Sequence, residues 1–320
     1  MKRSFLTIIL LFLSAAAAFL LSSCAPPPVV PPSGDSYTVK DDAGRTVTIP
    51  HRPVRIVSIS YGIDEILYDM VDTRRIRAFC RYAGDEDITF ITKADRDQVG
   101  RTVEDNLESI LAESPDLVFV TAGTGRDMIQ SLTDMGVPVY VSIYPKTWND
   151  LETKIRGIAA AVDERDRGEA MIRAMEEKRA AVRQKLSAIP EGKERSALAL
   201  SFSGAVGKRG TLLADLMQEA RIQNKALLLP VSGEAAVFTK ENMIEADPDV
   251  LILPTWNFNG KSDAGHFKEE LLSDPAYANL KAIRTGNLVF VADKYRYVSS
   301  QHAAESLEVL AKAVYPELWE

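Results

Sequence analysis

From residue 149 to 186 the chain has almost no turn chemistry and is rich in Ala, Glu, Arg and Met. On either side of that stretch, short apolar runs alternate with helical patterns. This arrangement leaves few folds open. The middle reads as a helix to about residue 162, a break near Asp163, and a longer helix over about 164–187, stopped by Pro190-Glu191-Gly192. At 1.5 Å per residue the second helix spans ~35 Å, enough to cross a whole lobe. No heptad persists, so a coiled coil is not supported.

Before the helical stretch, 55–60, 76–80, 117–121 and 139–143 read as strands, and 63–71, 107–112 and 127–135 as helices. After it, strands are expected at 196–202, 250–253 and 288–291, with helices at 211–220, 241–246 and 303–315. Short apolar strands alternating with helices imply mostly parallel sheets covered on both faces. The fold class is therefore α/β: two Rossmann-like lobes joined by one long interlobe helix. Residues 37–148 form the first lobe, 149–192 the helical linker and 193–320 the second lobe. Tyr37 to Ile49 alternates around Asp42-Ala43-Gly44-Arg45 and reads as an edge hairpin. The halves share a local pattern. Glu108 precedes Pro115-Asp116, and Glu241 precedes Pro248-Asp249, by the same spacing, each followed by a strand.

The N-terminus carries an address. Met1-Lys2-Arg3, an apolar run from Phe5 to Leu21 and Leu21-Ser22-Ser23-Cys24 describe an export signal over residues 1–23. The run is short for a membrane span, the competing reading. The Cys resembles the bacterial lipoprotein lipobox, which implies cleavage before Cys24, a lipid on its sulfur, and an extracytoplasmic protein anchored to the cell membrane. The prolines of residues 24–36 read as an extended tether. Removing residues 1–23 removes Lys2 and Arg3 and no acid, moving the formal charge from −7 to −9. That balance argues against nucleic acid, which needs a basic footprint. Cys80 is then the remaining cysteine, so no intramolecular disulfide is available. Its apolar surroundings at 76–80 read as a buried small hydrophobe.

These features together resemble a known family. Asp42-Ala43-Gly44-Arg45-Thr46-Val47-Thr48-Ile49-Pro50, Arg52-Pro53-Val54-Arg55-Ile56-Val57-Ser58, Asn106-Leu107-Glu108-Ser109-Ile110-Leu111 with Pro115-Asp116-Leu117-Val118, and Asn224-Lys225-Ala226 are similar to substrate-binding proteins of bacterial import ABC transporters. The branch is the helix-linked class that takes up iron–siderophores, haem and cobalamin. The resemblance spans nearly all of residues 37–320. It implies a monomeric receptor, not an enzyme, whose partners are a permease dimer with its ATPase subunits and a small metal chelate. It further implies that Glu108 and Glu241 pair with Arg residues of the permease; two carboxylates on separate lobes would fix orientation and register. The local alternative is helix capping: Asp105 to Glu108 as a capping box with Glu108 at the third helical position, and Thr239 as cap for the helix of Glu241.

Ligands in open α/β sheets bind beyond the carboxyl ends of the strands. The residues expected at such a cleft are Tyr61, Arg81, Tyr82, Tyr144 and Trp148 from the first half, and Lys208, Arg209, Trp256, Phe258, Arg296 and Tyr297 from the second. Aromatic faces suit a large conjugated ligand, and Arg or Lys its carboxylates or metal-bound oxygens. Ordinary packing is the competing role for each aromatic. His51, His266 and His302 lack metal-ligand spacing, so no intrinsic cofactor or metal is expected and any metal arrives already chelated, as a ferric siderophore first, or a corrinoid or haem. His302 is expected near the cleft, as a helix-start residue or an axial haem contact. The Gly204-Ala205-Val206-Gly207-Lys208-Arg209-Gly210-Thr211 turn departs from a phosphate loop, with Phe202 and Arg209 at diagnostic positions. No Gly-x-Ser-x-Gly elbow is present. An extracytoplasmic enzyme on this scaffold, distinguished by turnover, and a surface protein that grips a protein partner, distinguished by a large apolar patch, remain the alternatives.

Overall fold

A computed structural model describes residues 35–229, 238–257 and 260–320. The export signal, Cys24, most of the tether and Phe258 lie outside the described residues.

The chain opens with strands β1 (Tyr37–Lys40) and β2 (Thr46–Ile49), antiparallel, with Tyr37 opposite Ile49. Gly44 turns between them at φ 79°, a conformation that suits a residue without Cβ. The hairpin is a separate two-stranded sheet, not an edge of the main one. It is tied down by Asp42, whose carboxylate accepts from the Tyr140 hydroxyl (3.0 Å), the Ser142 hydroxyl (3.2 Å) and the Ile143 amide (3.0 Å).

Strands β3 (Ile56–Ser58), β4 (Ile76–Cys80), β5 (Thr102–Val103), β6 (Leu117–Thr121) and β7 (Val139–Ser142) form the first main sheet in the order β5-β4-β3-β6-β7, all parallel. Every residue of β3 and β7 is buried, as expected where helices cover both faces. The second sheet contains β8 (Ser196–Ser201), β9 (Gly204–Ala205), β10 (Gln223–Asn224), β11 (Val250–Leu253) and β12 (Leu288–Phe290). Its order is β10-β8-β11-β12, parallel, with β9 folding back antiparallel on β8.

The repeated Glu/Pro-Asp pattern does the same work in both lobes. Ser114 (φ 48°) and Asp247 (φ 32°) turn left-handed just after a short helix and just before the proline. The aspartate then ties down the start of the neighbouring strand. Asp116 accepts from the amides of Val54 (2.8 Å) and Arg55 (2.9 Å), ahead of β3. Asp249 accepts from the amide (2.7 Å) and hydroxyl (2.8 Å) of Ser196, the first residue of β8.

The helix Trp148–Ala161 starts at a capping box of Thr147 and Asp150. The long helix Arg165–Leu186 has 22 residues, roughly 33 Å. Between them Asp163 adopts φ 58°, and Arg75 holds the corner by donating to Val162 O and Glu164 (both 2.6 Å) and to Pro53 O (2.8 Å). The two helices cross closely because Gly168 has no side chain: a Cβ there would lie 2.5 Å from that of Ala159. The C-terminal helix Ala303–Val314 packs on the long helix and on Leu212–Glu219. One apolar cluster runs from Ile56 and Phe79 through Ile155 and Ile172 to Leu216 and Leu307, so the two lobes share a core. Among the described residues no helix is long and apolar enough to cross a membrane.

Candidate ligand-binding cleft

A cleft of about 980 Å³ lies where the carboxyl ends of β3, β6 and β7 meet the second lobe. From the first lobe it is walled by Tyr61 and Tyr82, by Thr121 and Thr124, by Met128, and by Tyr144 and Lys146. From the second come the turn at Gly207 and Lys208, the start of Leu212–Glu219, and the segment Arg296, Tyr297, Val298 and Ser299. Three helices begin on this wall, at Ser60, Gly125 and Thr211. Thr211 caps its helix through Ala214 N (3.2 Å). Ser60 and Gly125 provide no side-chain cap, so first-turn amides stay available there.

The aromatic residues form a chain. Tyr61 meets Tyr82 edge-on at 6.2 Å between centroids, and Tyr82 meets Trp256 at 5.8 Å. Tyr61 donates to Tyr297 O (3.1 Å), crossing between lobes, and the Trp256 indole donates to Asp85 (2.8 Å), crossing back. Burial, reinforced by Glu65, pushes the Tyr61 phenol well above its ordinary pKa; burial raises Tyr297 likewise. Both stay neutral hydrogen-bonding groups. Tyr144 is 58% exposed and donates to the Thr121 hydroxyl (2.9 Å).

The floor is pinned by buried polar groups. A Cβ on Gly62 would fall 2.0 Å from Ser299 Oγ. Lys154, fully buried, donates to Ser299 O at 2.8 Å, and burial lowers it to about 8. Buried Glu65 accepts from the hydroxyls of Ser300 and Thr89, and Gln301 donates to Glu65 O (2.9 Å) and Asp69 (2.7 Å). Beside them Asp64 is fully buried, with one oxygen accepting from Cys80 N (2.8 Å) and the other without a partner. Burial pushes its carboxyl well above the usual carboxylate range.

Of the expected cleft residues, Tyr61, Tyr82, Tyr144, Lys208, Arg296 and Tyr297 line one wall system. Trp148 does not. It is 2% exposed, and its ring lies under the Arg179 guanidinium at 4.4 Å. The Thr147 capping box begins the helix one residue earlier than a loop reading allows, and that turns the indole into the core. Arg81 and Arg209 are also off the wall: Arg81 covers the outer face of Tyr82 at 4.8 Å and pairs with Glu104 at 3.5 Å, and Arg209 is exposed on its turn. Trp256 is not on the wall and meets Tyr82 edge-on. Arg296 reaches the wall with its charge engaged by Asp293 (3.1 Å) and the Leu200 carbonyl. His302 is elsewhere, stacked on Phe90 at 4.0 Å beside a second groove. Lys146, Asp105, Thr121, Thr124, Met128 and Ser299 were missed. The rule that placed Tyr144 just past β7 extends two residues further to Lys146, and applied to β6 it reaches Thr121 and Thr124. Among the described residues no group of three or more His, Cys, Asp or Glu is placed to hold a metal ion.

Glu108 and Glu241 occupy equivalent places. Asn106 caps the helix Leu107–Ala112 through Ser109 N (2.9 Å), and Thr239 caps Lys240–Ala246 through Asn242 N (3.3 Å). The cap is Asn106 and not Asp105, so Glu108 stands second in its helix, as Glu241 does in its own. Both are exposed. Its own amide and the Thr239 hydroxyl hold the Glu241 carboxyl below its ordinary value.

Two parallel α/β lobes sharing a cleft, with a single long helix spanning them, define the helix-linked class of two-lobed solute receptors. A profile of the periplasmic binding protein family matches residues 56–295, and the chain belongs to that family. It is 26% identical to the molybdate-binding protein MolA of Haemophilus influenzae over 236 residues, 66% of this chain and 64% of that protein, just under two thirds of its length. It is 23% identical to the probable siderophore-binding lipoprotein YfiY of Bacillus subtilis, over 82% of each chain. Among solved structures, the apo periplasmic haem-binding protein RhuT of Roseiflexus sp. RS-1 aligns with a TM-score of 0.70 at 22% identity, covering 83% of this chain and 99% of that one. Molybdate-bound MolA aligns at 0.72 with 19% identity, covering 88% and 92%.

Proposed function

We propose that this protein is the solute-binding component of an ABC importer, that it captures a ferric-siderophore-type metal chelate in the interlobe cleft, and that it delivers it to the membrane permease. The observation that carries this reading is the wall itself: Tyr61 and Tyr82 in edge contact, Tyr297 beside them, and lysines from both lobes in one cleft of about 980 Å³. Sites of ~300–1,000 Å³ suit ligands of drug size, and a tetrahedral oxyanion alone leaves most of this one unfilled. Aromatic faces take the flat parts of a chelate and ammonium groups its anionic oxygens. A chelate that fully coordinates its metal needs no ligand from the protein. Haem profits from an axial ligand, and the described wall has no histidine and a Tyr61 phenol that burial keeps protonated. Haem is therefore second to a siderophore, and a corrinoid is the other alternative of the same transporter class.

In this reading Cys24 carries the lipid that anchors the chain, and Glu108 and Glu241 meet arginines of the permease dimer, whose ATPase subunits drive release. No intrinsic cofactor takes part, and the ligand leaves chemically unchanged. The test is a fluorescence and absorbance titration with ferric siderophores, haem, cobalamin and molybdate. Sub-micromolar saturation by a ferric siderophore, with intact ligand recovered, supports the reading. Saturation by haem, cobalamin or molybdate alone replaces the ligand class, and turnover of the ligand moves the chain to the enzyme alternative.

A further inference from the structure

We infer that Glu65, which stands behind the cleft and off its wall, is a positioning residue for the ligand: the two oxygens of its carboxylate set the spacing of the segments that carry Tyr82 and Tyr297. This rests on the reading that the cleft holds the chelate, and it adds a residue that keeps the cleft in shape without touching what it holds.

Glu65 lies in the helix Tyr61–Met70, one turn on from Tyr61, and is 2% exposed. Its carboxylate joins two segments that are far apart in the sequence. One oxygen accepts from the Thr89 hydroxyl (2.8 Å) and the Phe90 amide (3.0 Å), and the other from the Ser300 hydroxyl. Thr89 and Phe90 belong to the loop that follows β4 and carries Tyr82. That loop closes on itself. The Asp85 carbonyl accepts from the amides of Ile88 (3.0 Å) and Thr89 (3.1 Å), and the Gly84 amide donates to Ile91 O (3.0 Å). Holding Thr89 therefore holds the turn beside Tyr82. Ser300 belongs to the second-lobe segment that starts at Tyr297. Tyr297 O accepts from Tyr61 (3.1 Å), Ser299 O accepts from Lys154 (2.8 Å), and Gln301 donates to Glu65 O (2.9 Å). Tyr61, Tyr82 and Tyr297 thus take their relative places from one helix and one of its side chains.

The donors around Glu65 fit an ionised carboxylate. The Thr89 hydroxyl oxygen already accepts from Ile91 N (3.1 Å), and that of Ser300 from His302 N (3.4 Å), so both hydroxyl protons point at Glu65. Burial raises the Glu65 carboxyl, while Ser300, Phe90, His302 and Thr89 act to lower it. The other charged or titratable neighbours are Lys154 from the linker helix and Asp64 and Tyr61 on its own helix. Lys294 stands over the Phe90 ring at 5.1 Å, Gln301 donates to Asp69, and His302 pairs with Glu305 at 3.5 Å. A proton on Glu65, or an amide in its place, puts a donor where two hydroxyls already donate. The tie between the segments then loosens.

The experiment titrates the wild type, Glu65→Gln, Ser300→Ala and the double variant with a ferric tris-hydroxamate and a ferric tris-catecholate over about pH 5–9. Circular dichroism checks that each protein is folded at each pH. At the alkaline end each single variant binds about tenfold more weakly than the wild type, the scale of one charge-assisted hydrogen bond. The double variant loses no more than a single one, because both changes remove the same tie. The advantage of the wild type over Glu65→Gln fades as pH falls and Glu65 takes up its proton; every other titrating group, the ligand's included, is common to the two proteins. Equal affinity of the wild type and both single variants overturns the inference, and so does a loss that is the same at every pH, which marks a purely structural role. Either result leaves chelate binding in the cleft standing. Failure of both chelates to bind the wild type overturns that reading and the inference with it.

Discussion

Replacing Gly62 by Ala ought to help the protein on helix propensity alone. Gly62 lies inside the helix Tyr61–Met70, where Ala is favoured over Gly by ~0.5–1 kcal/mol. The structure reverses the sign. A Cβ on Gly62 would lie 2.0 Å from Ser299 Oγ, 3.1 Å from Ser299 O and 3.2 Å from Ser299 Cβ. Rotating the hydroxyl relieves the first contact and leaves the other two, and Ser299 O is already held by Lys154 at 2.8 Å. Overpacking of this kind costs ~1–3 kcal/mol, so the net effect is a loss of about 1–2 kcal/mol. The assay is urea unfolding of the wild type, Gly62→Ala, Ser299→Gly and the double variant. Removing the Ser299 side chain opens room for the methyl group, so the double variant should recover about 1 kcal/mol of coupling. Stabilisation by Gly62→Ala, or strict additivity of the two changes, refutes the close-approach argument. Because Ser299 lines the cleft, the same variant should weaken ligand binding although Gly62 is buried.

Other predictions concern the buried carboxylate and the exposed ones. Asp64 has a folded-state pKa raised by burial. Its contribution to stability is complete below the unfolded value of about 4 and is lost as pH rises toward the folded value. Asp64→Asn should therefore be nearly neutral below about pH 4 and should gain on the wild type as pH rises, read as a flatter stability–pH profile. A profile parallel to that of the wild type would show that Asp64 does not carry this slope. Glu108→Lys and Glu241→Lys should each abolish most uptake while leaving solution affinity for ligand within about twofold, since both side chains are exposed away from the cleft wall. Undiminished uptake in both would remove the docking role.

Much of the fold could be read from the sequence because the strands are buried on both faces. The runs at 76–80, 117–121 and 250–253 are apolar apart from Arg77 and Thr121, and β4, β6 and β11 occupy those same residues. The helix over 107–112 also matched in extent, although its cap is Asn106 and not the Asp105 of the capping-box reading. The Glu/Pro-Asp repeat was visible as a pattern, but its physical cause, an aspartate tying down the next strand, needed coordinates. Short strands such as β5, β9 and β10 were missed, since two residues carry no period. The site was read by position past each strand, a rule that fixes the backbone and leaves the side-chain direction free. It placed Tyr61, Tyr82 and Tyr144 on one wall and failed at Trp148, whose helix begins immediately. The floor was not legible at all. Gly62, Glu65, Lys154, Ser299 and Gln301 are far apart in sequence and meet only because the lobes share a core.

The most direct test of the account is calorimetric titration of a ferric siderophore into the wild type and into Tyr82→Ala. Tyr82 lies on the cleft wall, in edge contact with Tyr61 and Trp256, and losing one well-placed aromatic contact weakens binding by about tenfold or more. The account predicts one ligand per chain at sub-micromolar affinity in the wild type, and that loss in a variant whose unfolding profile is unchanged. Equal affinity in both proteins, or no heat with the wild type, would contradict the claim that this cleft holds the ligand.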